Sequence, residues 1–472
     1  MAERRPHAAL VALMAVGLLL AVTWAVTLPA FQAPDEQAHF SYAQTLAERH
    51  ALPGVEGRPF FSTELTKGIG AVNSDQVAAQ LPVKPEWDPQ REREWAATQA
   101  QWPDDDAGGP GPATAYPPTA YAWQALGYAA ASGGSLWDEL LGARLMSALW
   151  IPVMVLGTWL LAGEVLGRRR VLQSAAASVP ALAPMVVFVT SSVSPDGMLY
   201  AAWTIALWLG VRCIKRGLPL RDGIAFFAVV ALACTIKPTS YALIPAALLV
   251  ALFGLMSRRR WQPRRAAVVA VAALAAGLGA WVLVAGLLDR PVLSQVAGSD
   301  TNWRELASYV WQYYLPRTPV QQEFKTVVGY PLLQVWITQG WAAFGWLEIK
   351  FDPWVYRVLG PLTIAVLVAA LLALLKAWRR VDRRVVVFLG ATFAILLFGL
   401  HWTEYHEFKA DSTSFMQGRY LFPAIGIFGL ALAGALSLVP ERLRGAATGA
   451  AIAGLFVFHL LALGLVIERF YA

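Results

Sequence analysis

Apolar runs long enough to cross a lipid bilayer recur along the whole chain and limit what it can fold into. A transmembrane helix needs roughly 20 predominantly apolar residues, and 57% of the 472 residues are hydrophobic while only 15% are charged. The sequence therefore predicts an all-α, polytopic membrane protein with about eleven transmembrane helices. The predicted spans are 8–28, 140–162, 171–190, 197–211, 223–236, 241–255, 266–288, 355–375, 385–400, 420–438 and 446–466.

Short clusters of arginine and lysine between these runs predict the orientation of the chain. Such residues accumulate in short cytoplasmic loops, and here every second connection is basic if segment 116–131 is an interfacial helix rather than a span. The N-terminus is then cytoplasmic in a multi-pass protein of the cell membrane. Because the clusters are dispersed and form no single stripe, no nucleic acid partner is indicated. The clusters lie at 4–5, 168–170, 212–221, 258–265, 379–384 and 442–444.

Three outer segments follow from this orientation, at 29–139, 289–354 and 401–418, and all belong to one transmembrane domain of residues 1–472. We expect amphipathic helices to form a layer over the bundle there. Three tryptophans in the first segment, at positions 87, 95 and 102, favour a peripheral helix anchored at the bilayer interface. The aromatic residues of the second segment fit either sugar stacking or interfacial anchoring.

Two carboxylates and a histidine stand directly after the first span. Pro34 favours the first position of a helix, which would place Asp35 and Glu36 in its first turn, where carboxylates complement the helix dipole. Asp35, His39 and Tyr42 also fall at i, i+4 and i+7, so they share one face of that helix. Their place at the outer membrane surface favours a functional site over capping alone.

Further ionisable residues are predicted at the same outer ends of spans. Each one alone is explained by helix capping or by a cation that reaches the interface. Charged groups near membrane depth are costly, however, and a collection of them marks a functional site. These residues are Arg144, Asp196, Lys237 and Arg419, with Tyr420 as a supporting neighbour.

This set of charges suits one kind of chemistry. Glycosyl transfer from a lipid-phosphate sugar needs a base for the acceptor hydroxyl and positive charge for the departing phosphate. One carboxylate is sufficient for a single inverting displacement. Arginine can donate two hydrogen bonds to a phosphate, while lysine acts as a compact charge.

The ordered motifs resemble the C-superfamily glycosyltransferases, GT-C, which use polyprenyl-phosphate donors at the outer membrane face. The resemblance is to an uncharacterised bacterial branch related to protein O-mannosyltransferases, and it covers most of the chain. It weakens in segment 289–354, and no separate soluble outer domain is recognisable. The motifs are PDEQAHFSYA, AYPPTAY, ARLMSALW, SPDGMLYAAW, TIKPTSYALIP and QGRYLFP.

The resemblance implies a role for each matching residue. Asp35 would be the general base, and Glu36 would orient it or contact the acceptor. Lys237 and Arg419 would bind the donor phosphate, with Asp196 as the acidic residue of a later span. The acceptor would be a cell-envelope glycan, lipid or protein.

Several alternatives stay open at this level. GT-C enzymes include metal-binding and metal-free members, so no cofactor is certain; Asp35, Glu36, His39 and Asp196 could supply ligands to a divalent metal, but their spacing defines no site. His401 and His406 lack the i, i+4 spacing of a zinc helix. A transporter or flippase of lipid-linked sugars or small molecules is the main rival, although transporters commonly carry repeated halves. A non-catalytic assembly partner is a third class.

Overall fold

The computed structural model describes residues 7–78, 84–256, 301–319, 331–411 and 416–472, together with four single residues between 257 and 300. In these residues the regular structure is helical, apart from one isolated bridge between Phe344 and Ile349. The predicted all-α class is therefore confirmed. The α-helices are α1 Ala8–Thr27, α2 Glu36–Arg49, α3 Thr63–Ala71, α4 Ser74–Ala78, α5 Pro89–Ala96, α6 Thr119–Ala131, α7 Leu136–Ala148, α8 Trp150–Val165, α9 Arg170–Leu182, α10 Pro184–Thr190, α11 Asp196–Arg216, α12 Leu220–Cys234, α13 Leu243–Leu255, α14 Trp303–Tyr314, α15 Pro353–Ala377, α16 Arg383–Asp411, α17 Ile425–Ser437 and α18 Glu441–Tyr471. Short 3₁₀ helices lie at Gln99–Gln101, Pro238–Ala242 and Gly418–Ala424, and a π-helix at Leu332–Gln339.

Seven helical stretches of the described chain are long and apolar enough to cross a membrane. The pair α9–α10, bent by 54° where Pro184 follows α9, adds an eighth if it counts as one span. These eight match eight of the predicted spans, but the count of eleven is not confirmed. Predicted spans 223–236 and 241–255 correspond to shorter helices, and span 266–288 lies outside the described residues apart from those four single positions. The seven are Ala8–Thr27, Leu136–Val165, Asp196–Arg216, Pro353–Ala377, Arg383–Lys409, Gly418–Ser437 and Glu441–Tyr471.

Burial separates the interior of the bundle from its periphery. Helix α11 packs against α8 and α12, and 83% of the residues in its apolar stretch are buried. In α15 the buried share is 6%, so this helix turns apolar side chains such as Leu367 and Leu371 outward, as a lipid-facing helix does. The bundle thus has a protein-filled centre around α11, and the N-terminus of α11 carries Asp196.

The segment between α1 and α7 forms a folded layer at one end of the bundle. Helix α6 is only 13 residues long, which agrees with the predicted interfacial helix and not with a span. The tryptophan prediction was wrong for Trp87 and Trp95, which are buried, at 4% and 6% exposure. Trp87 donates to a carboxylate of Glu92 and Trp95 packs beside Gly68, so both fill the layer instead of anchoring it in lipid.

The predicted outer segment 401–418 is helical in its first part, because α16 continues to Asp411. His401, Glu404, Tyr405 and Phe408 are all buried there. They lie at i, i+3, i+4 and i+7, which is one face of a helix. Polar and aromatic side chains form this buried face, so it does not stand out as an apolar stripe.

Candidate active site

Asp35 occupies an unusual backbone position between the first span and the folded layer at one end of the bundle. It is the residue before α2 and has φ 63° and ψ 10°, a left-handed conformation that aspartate tolerates better than most residues. The helix begins at Glu36, so the prediction that Asp35 lies in the first turn was wrong. Its carboxylate caps no backbone N–H of α2. The side chain is therefore free to contact other elements.

The partner of Asp35 is Arg419, 384 positions later in the chain. Arg419 Nη2 donates to Asp35 Oδ2 at 2.8 Å. The arginine side chain is 5% exposed, whereas the Asp35 side chain is 49% exposed. Burial acts to raise the pKa of Asp35, but Arg419, His39 and Lys237 together outweigh it and hold the pKa below its ordinary value. Asp35 is thus an ionised carboxylate at neutral pH.

Asp196 and Lys237 extend this pair into a charged quartet. Lys237 Nζ lies 2.7 Å from Asp196 Oδ1, and Arg419 Nε lies 4.0 Å from Asp196 Oδ2. Asp196, Lys237 and Arg419 are 2%, 7% and 5% exposed. The quartet of Asp35, Arg419, Asp196 and Lys237 alternates acid and base and carries no formal net charge. The structure therefore brings together four of the residues that the sequence placed at the outer ends of spans.

One polar atom of the quartet has no hydrogen-bond partner. Arg419 Nε is buried and finds no acceptor among the described residues. Buried donors are almost always paired, so an unpaired guanidinium N–H is a position at which an oxygen ligand would gain a bond.

Aromatic rings flank the two cations. Lys237 Nζ lies 5.5 Å from the ring centre of Tyr116 and 5.2 Å from that of Tyr420, and the Arg419 guanidinium lies 5.5 Å from the Tyr420 ring. Such contacts stabilise cations in partly desolvated places. Tyr200 holds the backbone, because its hydroxyl donates to the Arg419 carbonyl at 3.0 Å.

His39 lies beside the quartet but is bonded to a different group. Its Nδ1 lies 2.8 Å from the Tyr121 hydroxyl, and Tyr42 stacks on the Tyr121 ring with centroids 4.0 Å apart. Burial, opposed by Asp35, lowers the pKa of His39 to about 4. The imidazole is therefore neutral at physiological pH and supports the wall of the site.

Glu36 and Arg144 form a second, fully buried pair. Arg144 Nε donates to Glu36 Oε1 at 2.8 Å and Arg144 Nη2 to Oε2 at 2.5 Å. Arg144 also donates to the carbonyls of Ala25, Leu28 and Pro29 at the end of α1. Glu36 is 0% exposed, so it cannot contact an acceptor in this conformation. An orienting role is the one that its position supports.

The Glu36 carboxylate connects the two acidic residues of the quartet. Its Oε1 also accepts from the backbone N–H of Val193 at 3.1 Å, three residues before Asp196. Asp35 is the residue directly before Glu36. The buried pair therefore fixes the segments that carry Asp35 and Asp196 relative to each other.

The segment that carries Arg419 is held by two residues that sequence reasoning had not assigned to the site. Glu404 Oε2 accepts from the Met416 N–H at 3.1 Å, and Gln339 Oε1 accepts from the Gly418 N–H at 3.0 Å. Gly418 packs so closely that an added Cβ would lie 2.6 Å from the backbone nitrogen of Gly340. Only glycine fits at position 418, and this close packing positions Arg419. The glycine before Arg419 in the QGR motif is the one feature of the sequence that indicates this packing.

The residues do not fit a metal centre as placed. Within the described residues, no group of three histidine, cysteine, aspartate or glutamate side chains is arranged to hold an ion. Asp35 and Asp196 are paired with cations, and Glu36 is paired with Arg144. His401 contacts the hydroxyls of Tyr309 and Tyr314.

Three solved structures align with nearly the whole of this chain. ArnT from Cupriavidus metallidurans aligns with a TM-score of 0.53 and 13% identity over 98% of this chain and 77% of its own. AglB, an archaeal oligosaccharyltransferase from Archaeoglobus fulgidus, gives a TM-score of 0.48 and 12% identity over 98% of this chain. The arabinosyltransferase EmbB from Mycobacterium smegmatis gives 0.45 and 16% over 99% of this chain. The chain spans 55% of the length of AglB and 40% of that of EmbB.

The match to ArnT shows a shared fold, of the GT-C-like type. A search of curated proteins finds no match. The model of one family, described as "Predicted membrane protein (DUF2142)", matches residues 18–427. Since this match takes in most of the chain and every residue of the charged quartet, the protein is a member of the DUF2142 family of membrane proteins, with a GT-C fold.

Proposed function

We propose that this protein is a membrane glycosyltransferase that transfers a sugar from a polyprenyl-phosphate donor to an acceptor hydroxyl at the outer face of the cell membrane. The observation that carries the proposal is the quartet: a half-exposed carboxylate stands directly against a buried arginine, with a buried lysine behind it. An acid that can take a proton and cations that can take a phosphate are the two requirements of this reaction.

In the proposed reaction, the Asp35 carboxylate removes the proton of the acceptor hydroxyl as that oxygen bonds to the anomeric carbon. The bond from this carbon to the phosphate oxygen breaks, and its electron pair stays on the lipid phosphate beside Arg419 and Lys237. One displacement inverts the anomeric configuration. The products are the glycosylated acceptor, the polyprenyl phosphate and a proton on Asp35.

The fold supports the donor class without assigning it, because one fold hosts many activities. ArnT, whose fold this chain shares, has also been solved with undecaprenyl phosphate bound. In this chain Asp196 and Arg419 lie in the first turns of two apolar helical stretches, and this position supports a membrane-lipid headgroup as the ligand. The acceptor would be a cell-envelope glycan, lipid or protein.

The test uses the purified full chain in liposomes with a panel of radiolabelled polyprenyl-phosphate sugars. Asp35→Asn keeps the size of the side chain and tolerates the left-handed backbone, and it removes one of the two carboxylates beside the buried Arg419, which keeps Asp196 at 4.0 Å. As the loss of a general base, it should lower turnover on the order of 10²–10⁴-fold with little change in thermal unfolding.

The matched control is Asp75→Asn, which changes the same charge at an exposed position of α4. It should leave turnover unchanged. If Asp35→Asn transferred sugar as fast as the wild type, Asp35 would not be the base.

A further inference from the structure

We propose that, without a donor, Asp35 occupies the face of Arg419 that the lipid phosphate needs, so that donor binding frees the Asp35 carboxylate. Resting on the proposed function, this inference adds that donor capture and release of the base are one exchange at a single guanidinium.

Burial indicates the route by which an anion reaches Arg419. The guanidinium is 5% exposed, and its hydrogen-bonded partner Asp35 is 49% exposed. The carboxylate therefore stands on the solvent side of the arginine. A phosphate that approaches from the outer surface meets Asp35 before it meets Arg419.

Of the two partners, Asp35 is the one that can move. Arg419 is held by the Tyr200 hydroxyl on its carbonyl, by the Tyr420 ring and by Asp196 at 4.0 Å. The Asp35 carboxylate caps no helix, and within the described residues its one hydrogen bond is to Arg419. A rotation of one side chain is therefore enough to expose the guanidinium.

Charge balance favours exchange over simple addition. The quartet has two acids and two bases, so an added phosphate beside a bound carboxylate would leave an excess of negative charge in a buried place. If the phosphate takes Asp35's place, Arg419 keeps one anionic partner. The unpaired Nε of Arg419 then gives the phosphate a second bond of the planar fork.

The exchange also changes the base. Burial raises the pKa of Asp35, and of the three groups that lower it, Arg419, His39 and Lys237, Arg419 contributes most. When the phosphate takes Arg419, the pKa of Asp35 rises towards its ordinary value. The carboxylate becomes a stronger base at the moment when the donor is bound.

The experiment measures binding of farnesyl phosphate, which carries the leaving group of the proposed reaction, to the purified full chain. Wild type, Asp35→Asn, Asp75→Asn and Arg419→Lys are compared by calorimetry at one pH and one ionic strength. Removing the competing charge should make Asp35→Asn bind at least about tenfold more tightly, although the turnover of the same variant should fall. Asp75→Asn should equal the wild type, and Arg419→Lys should bind more weakly.

A structure of the wild-type complex distinguishes exchange from a mere effect of charge. The phosphate should contact Arg419, with the Asp35 carboxylate no longer within hydrogen-bond distance of it. Equal affinity of wild type and Asp35→Asn, or a complex in which the pair stays intact, would overturn the exchange while leaving the proposed function standing. Absence of farnesyl phosphate binding in all four proteins would overturn both.

Discussion

The buried pair of Glu36 and Arg144 gives the most direct test of how the site is held together. In Glu36→Gln the shape is kept and the charge is lost. Arg144 is then a buried cation, 3% exposed, that has lost its ion-pair partner. Breaking a buried pair by removing one partner costs about 3–5 kcal/mol, because the other charge stays buried. We expect a destabilisation of that size.

Arg144→Met should cost more than Glu36→Gln. It removes the ion pair and also three hydrogen bonds to the carbonyls of Ala25, Leu28 and Pro29, which lie at distances of 3.1, 2.6 and 2.9 Å. Hydrogen bonds to charged groups contribute about 1.5–3 kcal/mol each, and the three carbonyls would lose these donors, although that of Pro29 keeps the Gln32 N–H at 3.3 Å.

The assay is unfolding in mixed micelles at increasing fractions of a denaturing detergent, followed by tryptophan fluorescence. Asp382→Asn is the matched control, because it breaks the ion pair between Asp382 and Arg384. The Asp382 side chain is 24% exposed and the Arg384 side chain is 38% exposed. An exposed pair of this kind contributes about 0–1 kcal/mol. If Glu36→Gln and Asp382→Asn destabilised the protein equally, the buried pair would not hold the site together.

Three other predictions concern the segment that carries Arg419, the folded layer between α1 and α7, and the orientation of the chain in the membrane. Gly418→Ala should displace Arg419, weaken farnesyl phosphate binding and lower the free energy of unfolding by about 1–3 kcal/mol. The control is Gly464→Ala in a helix, where an added Cβ has no atom within 4 Å, and it should be neutral or slightly stabilising. Equal effects of the two substitutions would refute the close packing at Gly418. Burial, with Asp104 nearby, raises the pKa of Glu64 to about 7, so the folded chain binds more protons than the unfolded chain between about pH 4.5 and 7. The free energy of unfolding should therefore fall as pH rises through that window. Glu64→Gln should reduce this pH dependence in unfolding experiments, and an unchanged pH dependence would contradict the assignment to Glu64. A cysteine at Asp104 should react with an impermeant thiol reagent in intact cells and one at Arg169 should not, whereas labelling at Arg169 would reverse the proposed orientation.

The sequence was sufficient to predict which charged residues lie at one level of the bundle. Asp35, Asp196, Lys237 and Arg419 each stand where an apolar run ends or begins beside a proline or glycine. Spans of similar length bring such breaks to one end of a bundle. This inference needed no knowledge of which helices are neighbours.

Partner choice could not be predicted in the same way. Glu36 follows Asp35 directly, yet it turns into the protein and binds Arg144, 108 positions away. The difference arises because Asp35 has a left-handed backbone conformation immediately before α2. The carboxylates of Asp35 and Glu36 therefore point in different directions. Backbone conformation at one residue is a tertiary outcome, and no pattern in the PDEQ motif specifies it.

The alternating quartet also explains why one arginine can serve the whole proposed reaction. Before transfer, the donor phosphodiester carries one negative charge and the Asp35 carboxylate carries another. After transfer, Asp35 is neutral because it holds the acceptor proton, and the phosphate monoester has gained the electron pair of the broken bond. One unit of negative charge has thus moved from Asp35 to the phosphate across a single guanidinium, while the total charge near Arg419 and Lys237 is unchanged. A site with fixed cations can accommodate such a shift with little reorganisation, which is the condition under which preorganised charges stabilise a transition state. Asp35 then returns its proton to solvent through its exposed side, and when the lipid phosphate departs the carboxylate pairs with Arg419 again.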